Sequence, residues 1–145
     1  MAKVLVIYHS DTGNTHKLAK MVAAGAESAG GMEVKLVAAD QVDMTEAAAA
    51  AGLAIGSPDY FSYMAGTVKS FFDQALYNEH FKGKPCVCFG THGGGAKVLE
   101  VLERLAKAIG LKQAAPGVLV KGLPTDADAP AAKALGEALA KAAGK

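Results

Sequence analysis

Apolar and polar positions in this chain follow two periods, and the places where one gives way to the other mark its elements. Val4 to Tyr8 is apolar at every position, the pattern of a strand covered on both faces, so it belongs in a sheet centre. Leu18, Val22 and Ala26 then recur at helical spacing, predicting a helix over about Asn14 to Ala29 that Gly30-Gly31 stops. From Met32 to Val37, Glu33 and Lys35 alternate with Val34 and Leu36, which reads as an edge strand with one wet face. Asp43 and Glu46 form a capping-box-like start for a short helix over Thr45 to Ala51. Leu53 to Gly56 predicts a central strand that Ser57-Pro58 ends. A helix with Val68, Phe71, Phe72, Ala75 and Leu76 on one face follows. Next come a strand over Cys86 to Gly90 and a helix turning Val98, Leu102, Leu105 and Ile109 inward. A fifth strand over about Gly117 to Val120 and an Ala-rich helix from Pro130, with Asp128 as its cap, complete the pattern.

Strands alternating with helices across short connections predict an α/β fold of three layers. The expected sheet is parallel and five-stranded, with right-handed crossovers and helices on both faces. With the second strand at the edge beside the first, the expected order is 2-1-3-4-5. The length of 145 residues and 51% hydrophobic content predict a single domain over residues 1–145, with no linker and no internal repeat. A formal net charge of +1 from scattered acids and bases provides no basic stripe for nucleic acid and no acidic tail. No stretch reaches the roughly 18 apolar residues of a membrane span, and the N-terminus lacks a signal-peptide pattern, so a cytoplasmic protein is expected. Cys86 and Cys88 are read as reduced structural residues pointing to opposite faces of the sheet.

Candidate chemistry concentrates after strands one, three and four, which in a parallel sheet places it at one end. Ser10-Asp11-Thr12-Gly13-Asn14-Thr15 joins a strand to a helix whose first-turn N–H groups and macrodipole favour an anion. Ser10, Thr12 and Thr15 add hydroxyl donors, and Gly13 lets the backbone come close. No Lys or Arg lies in this loop, so it suits a retained phosphate better than one undergoing transfer. The second loop, from Ser57, Pro58 and Asp59 through Tyr60, Phe61, Tyr63 and Met64, carries large side chains that need a partner to cover them. The third loop, Thr91, His92, Gly93, Gly94 and Gly95, offers backbone donors and one histidine. No metal site is expected.

The run Val6-Ile7-Tyr8-x-Ser10-x-x-Gly13-x-Thr15-x-x-x-Ala19-x-x-Val22 resembles the phosphate signature of the flavodoxin family at every defined position. That resemblance implies non-covalently bound FMN near the point where the sheet order reverses, between strands one and three. It implies further that Ser10, Thr12, Gly13, Asn14 and Thr15 hold the phosphate. Pro58, Tyr60, Phe61, Tyr63 and Met64 would wall or edge the flavin ring, Ser57 and Asp59 would belong to the same cofactor site, and Thr91 to Gly95 would meet the pyrimidine edge. A positively charged His92 there would favour negative charge on the reduced ring. Gly56-Ser57-Pro58 through Phe61, Met64-Ala65-Gly66, Lys69, Phe71-Phe72-Asp73-Gln74 and Gly93-Gly94-Gly95 look more like the NAD(P)H:quinone oxidoreductase branch. The path from Ile109 to Val118 is too short for the insertion that builds that branch's tetramer, so a monomer or small homo-oligomer is expected. Near-neutral charge also removes most of the steering that acidic carriers exert on basic partners. The expected activity is therefore electron carriage by FMN to a redox partner protein. The alternative is NAD(P)H-dependent reduction of a quinone, free flavin or other small acceptor. A remoter one is a phosphoacceptor domain built on Asp59 and Lys121.

Overall fold

The computed structural model describes residues 2–145. In chain order they form β1 (Ala2–Tyr8), α1 (Asn14–Ser28), β2 (Met32–Ala38), α2 (Met44–Ala49), β3 (Gly52–Pro58), α3 (Gly66–Ala75), β4 (Pro85–His92), α4 (Val98–Ala108), β5 (Lys112–Gln113), β6 (Val118–Lys121) and α5 (Ala129–Ala143). All strand pairs are parallel, and the order β2-β1-β3-β4-β5 is the expected 2-1-3-4-5 with one addition. The edge beside β4 is two pieces: β5 pairs with Pro85 and Cys86, and β6 pairs with Phe89 to His92. Pro116, which has no N–H, lies in the segment between them, and Glu103 Oε2 accepts from Gly117 N at 3.2 Å and Gln113 Nε2 at 2.6 Å to hold the kink.

Alternate residues of each central strand enter opposite layers. Leu5, Ile7, Leu53 and Ile55 pack with α3 and α4, whereas Val4, Val6, Ala54, Val87 and Phe89 pack with α1 and α5. Cys86 and Cys88 both enter the first layer, correcting their expected placement on opposite faces, because residues two apart on a strand share a face. Their contact and their burial push the Cys88 thiol up from its ordinary value.

Several boundaries move for local reasons. β3 continues through Ser57 and Pro58, which pair with Gly90 and Thr91; β1 pairs only as far as Gly56, so the proline interrupts no ladder on that side. β4 likewise runs through Thr91 and His92, which are strand rather than loop residues. Leu76 falls just past α3 in extended conformation and is exposed rather than inward. Asp43 does cap α2, accepting from Thr45 N at 2.8 Å, but Glu46 does not complete the box; its carboxylate pairs with Lys3 and Lys35, each at 2.8 Å. Asp128 does not cap α5 through its side chain, which accepts from Thr125 N at 2.7 Å.

Helices α1 and α5 touch through glycines. A Cβ on Gly136 would lie 1.9 Å from Val22 O, and one on Gly25 would lie 2.0 Å from Lys133 O. Gly136→Ala should therefore lower stability by about 1–3 kcal/mol through overpacking, against the ~1 kcal/mol that alanine contributes to helix propensity. A urea midpoint that stays put or rises would show that the helix pair can separate without cost.

Candidate functional site

The loops after β1, β3, β4 and β6 meet at the carboxyl end of the sheet around a cleft of about 190 Å³. Its first wall is the polar loop: Ser10, Asp11, Thr12, Asn14 and Thr15 line it. Gly13 lies in the same loop at φ 96°, a left-handed conformation that glycine adopts freely, and its N–H donates to Ser10 Oγ at 3.1 Å. No side chain caps α1, and the helix ladder begins with Lys17 N to Gly13 O at 3.0 Å. The N–H groups of Asn14, Thr15 and His16 thus precede the ladder and are available to an anion. Thr15 is buried, and its hydroxyl bonds that of Thr91 at 2.8 Å, tying the loop to β4.

Pro58, Asp59 and Tyr60 make the second wall. Tyr60 and Tyr63 exchange backbone hydrogen bonds at 2.9 and 3.0 Å across a turn whose central residues, Phe61 and Ser62, have φ of 57° and 64°. Two consecutive non-glycine residues at positive φ each carry a strain of roughly 1–3 kcal/mol, held by the bonds around them. Phe61 is consequently held fully in solvent beside the cleft. Ser57 is wholly buried and does not line the cleft; its hydroxyl accepts from Ala65 N and donates to Pro58 O, both at 2.8 Å, pinning the two ends of this loop. Met64 is buried in the core beneath, and Tyr63 packs against that core.

Asp59 has a role that spacing did not reveal. Its Oδ2 accepts from Lys97 N at 2.9 Å and Val98 N at 3.0 Å, and its Oδ1 from Ser62 N at 2.8 Å. The carboxylate thus caps α4 from another loop, and both oxygens are committed to backbone donors. A phosphoacceptor role for Asp59 finds no support in this arrangement.

The third wall comes from Thr91, His92 and Gly93, with Gly122 from the loop after β6. Gly94 and Gly95 lie further out; an added Cβ on Gly94 would meet nothing within 4 Å, and one on Gly95 would only reach Ser62 Oγ at 4.0 Å. His92 Nδ1 is buried with no hydrogen-bond partner among the described residues.

Two residues that the motif reading left out complete the mouth. Tyr60 Oη donates to Asp11 Oδ2 at 2.5 Å, joining the first wall to the second. His9 Nε2 lies 3.1 Å from the same carboxylate oxygen, and its Nδ1 is 2.7 Å from Thr67 Oγ1. The hydrogen bond from Tyr60, followed by the close approach of His9 Nε2, holds the Asp11 carboxyl below its usual range, whereas burial, followed by Asp11, pushes the Tyr60 phenol up to about 12. Asp11 therefore remains a carboxylate and Tyr60 a neutral donor near neutral pH. The position of His9 directly after β1 was the available signal for it; its hydrogen-bond partner Thr67 lies 58 residues away and could not be read from spacing.

The donors fit an FMN phosphate chemically: hydroxyls and amides without a lysine, at a helix start that no side chain closes. Comparison with known proteins agrees. Among curated relatives, a flavodoxin of Aquifex aeolicus (strain VF5) is 42% identical over 96 residues, covering 65% of this chain and 52% of that one, so the match spans about half of the relative's length. A quinone-oxidoreductase QR2 of Triphysaria versicolor is 33% identical over 119 residues, covering 64% and 58%. The solved structure of a flavodoxin from the domain Archaea superposes with a TM-score of 0.92 at 26% identity, covering 99% of both chains. The flavodoxin family model matches residues 6–136, nearly the whole of the fold just described, and the chain belongs to the flavodoxin family.

Proposed function

We propose that this chain binds FMN non-covalently in the cleft and transfers electrons through it to and from a redox partner protein. The observation that carries the proposal is the uncapped start of α1 beneath Ser10, Thr12 and Gly13, an anion site made of neutral donors. Bound FMN supplies the redox chemistry; the protein supplies binding, orientation and electrostatics. Ser10, Thr12, Asn14 and Thr15 hold the phosphate, with the backbone at Gly13 allowing the approach. Pro58, Tyr60 and the exposed Phe61 offer apolar surface to the ring, while Asp59, Ser57 and the Thr15–Thr91 bond keep those walls in place. His92 lines the cleft, and Gly93 to Gly95 leave the rim open.

A second activity on the same site is NAD(P)H-dependent reduction of a quinone or free flavin. The similarity to the quinone oxidoreductase and the open glycine rim favour it. Among the described residues no helix is long and apolar enough to cross a membrane. The unpaired, buried Cys86 and Cys88 suit a reducing compartment, and a cytoplasmic location is part of the same proposal. It also includes a monomer or small homo-oligomer.

Loss of one hydroxyl to an ionised phosphate typically costs ~1.5–3 kcal/mol, so Thr12→Ala should weaken FMN binding by roughly ten- to a hundredfold. Gly13→Val, which forces a β-branched residue into the left-handed region, should do at least as much damage. Both are read by titrating FMN into flavin-free protein and following its fluorescence, and affinities indifferent to both changes would remove the cradle from the site. His92→Ala should make the flavin midpoint potential more negative, and an unchanged potential would take His92 out of the mechanism. Electron carriage alone predicts little steady-state oxidation of NADPH with benzoquinone by the flavin-loaded protein; rapid turnover would replace the carrier role with the reductase.

A further inference from the structure

One acid sits in the polar loop among neutral donors. Asp11 lines the cleft beside Ser10, Thr12 and Asn14, where its charge works against any bound phosphate. Its carboxylate is engaged elsewhere. Tyr60 Oη donates to Oδ2 at 2.5 Å, and His9 Nε2, a buried atom, approaches the same oxygen at 3.1 Å. The other ring nitrogen of His9 lies 2.7 Å from Thr67 Oγ1 in the first turn of α3, and the His9 backbone N–H donates to Gly56 O of β3 at 3.3 Å. The imidazole is thus fixed from β3 and α3 before it meets Asp11. It also packs edge-on to the Tyr60 ring, with centroids 6.0 Å apart.

Tyr60 needs such an anchor. It opens the turn whose central residues, Phe61 and Ser62, are held at positive φ, and it stands on the wall that the flavin ring is to face. Backbone bonds to Tyr63 fix one end of the residue and the bond from its phenol to Asp11 fixes the other, so the side chain has little freedom left to lose when a ligand is placed against it. We propose that Asp11 is a positioning residue for the flavin ring: through the Tyr60 hydroxyl it presets the aromatic wall of the cleft. The proposal rests on the flavin site described above. It differs from a role in the cradle in one measurable respect. An acid that acts on the phosphate by charge does so whether or not residue 60 carries a hydroxyl, whereas an acid that sets the wall acts only through that hydroxyl.

The test titrates FMN into the full chain freed of flavin, as the natural sequence, Asp11→Ala, Asp11→Asn, Tyr60→Phe and the Asp11→Ala/Tyr60→Phe double variant, with the urea midpoint of each as the folding control. Re-ordering one freed side chain on binding sets the size of the effect. Asp11→Ala should be about two- to tenfold more adverse to FMN affinity in the natural chain than in the Tyr60→Phe chain, because its effect on the phosphate is the same in both and cancels. Asp11→Asn loses the same charge but keeps an oxygen that accepts from the phenol, so it should bind FMN more tightly than Asp11→Ala. A second readout needs no flavin. The chain has four tyrosines and no tryptophan, and a phenol bonded to a carboxylate is a weak emitter, so Asp11→Ala should raise tyrosine fluorescence in the natural chain and leave it unchanged in Tyr60→Phe. Equal effects of Asp11→Ala on FMN affinity in the two backgrounds overturn the positioning role, and so does Asp11→Asn binding no better than Asp11→Ala; both leave the flavin site standing. Unchanged fluorescence in Asp11→Ala removes the bond on which the role depends. A natural chain that does not bind FMN sinks the flavin site, and this role with it.

Discussion

Parallel pairing of β1, β3 and β4 is the constraint from which the rest of this molecule follows. Parallel strands cannot be joined by tight turns, so each is followed by a crossover helix, and each hands its chain to a loop at the same end of the sheet. Both faces must then be covered, which is why Val4 to Ile7 and Leu53 to Ile55 are wholly buried. The functional cleft is the gap left where those loops diverge, and its location is a consequence of strand direction before any side chain is considered.

Strand direction gathers the loops; side-chain hydrogen bonds make them one site. Thr15 to Thr91 joins the polar loop to β4, Asp59 joins the aromatic loop to the start of α4, and Tyr60 to Asp11 joins the aromatic loop to the polar one. Each crosses between segments far apart in sequence, and each satisfies a polar group that the crossing would otherwise leave poorly paired. The turn at Phe61 and Ser62 shows the same economy in reverse: local strain is tolerated because Asp59, Tyr60 and Tyr63 hold the backbone from both sides.

Charge distinguishes this chain from a strongly acidic carrier. Its formal net charge is +1, and Lys17, Lys20 and Lys133 on α1 and α5 stand beside the phosphate end of the site and not across from an acidic patch. Long-range attraction to a basic partner is weak under those conditions.

The periods of the sequence alone determined the alternation of strands and helices and the order of the first four strands, and they put the proposed anion cradle between β1 and α1; the edge split into β5 and β6 they did not show. The first three were legible because apolar runs, helical spacing and glycine stops are local signals, and the loop from Ser10 to Thr15 carries its chemistry within six consecutive residues. Reading failed at Pro58 and Thr91, which continue their strands, because whether a proline or a polar residue ends a strand depends on what lies across the ladder. Spacing also could not show that Asp59, which does line the cleft, turns its carboxylate to α4, nor that Ser57 bonds Ala65 N and Met64 enters the core beneath the cleft, because only the packed chain decides those contacts. The contacts of Asp11 and His9 were decided by tertiary structure for the same reason: hydrogen bonds between segments tens of residues apart leave no periodic trace in either segment.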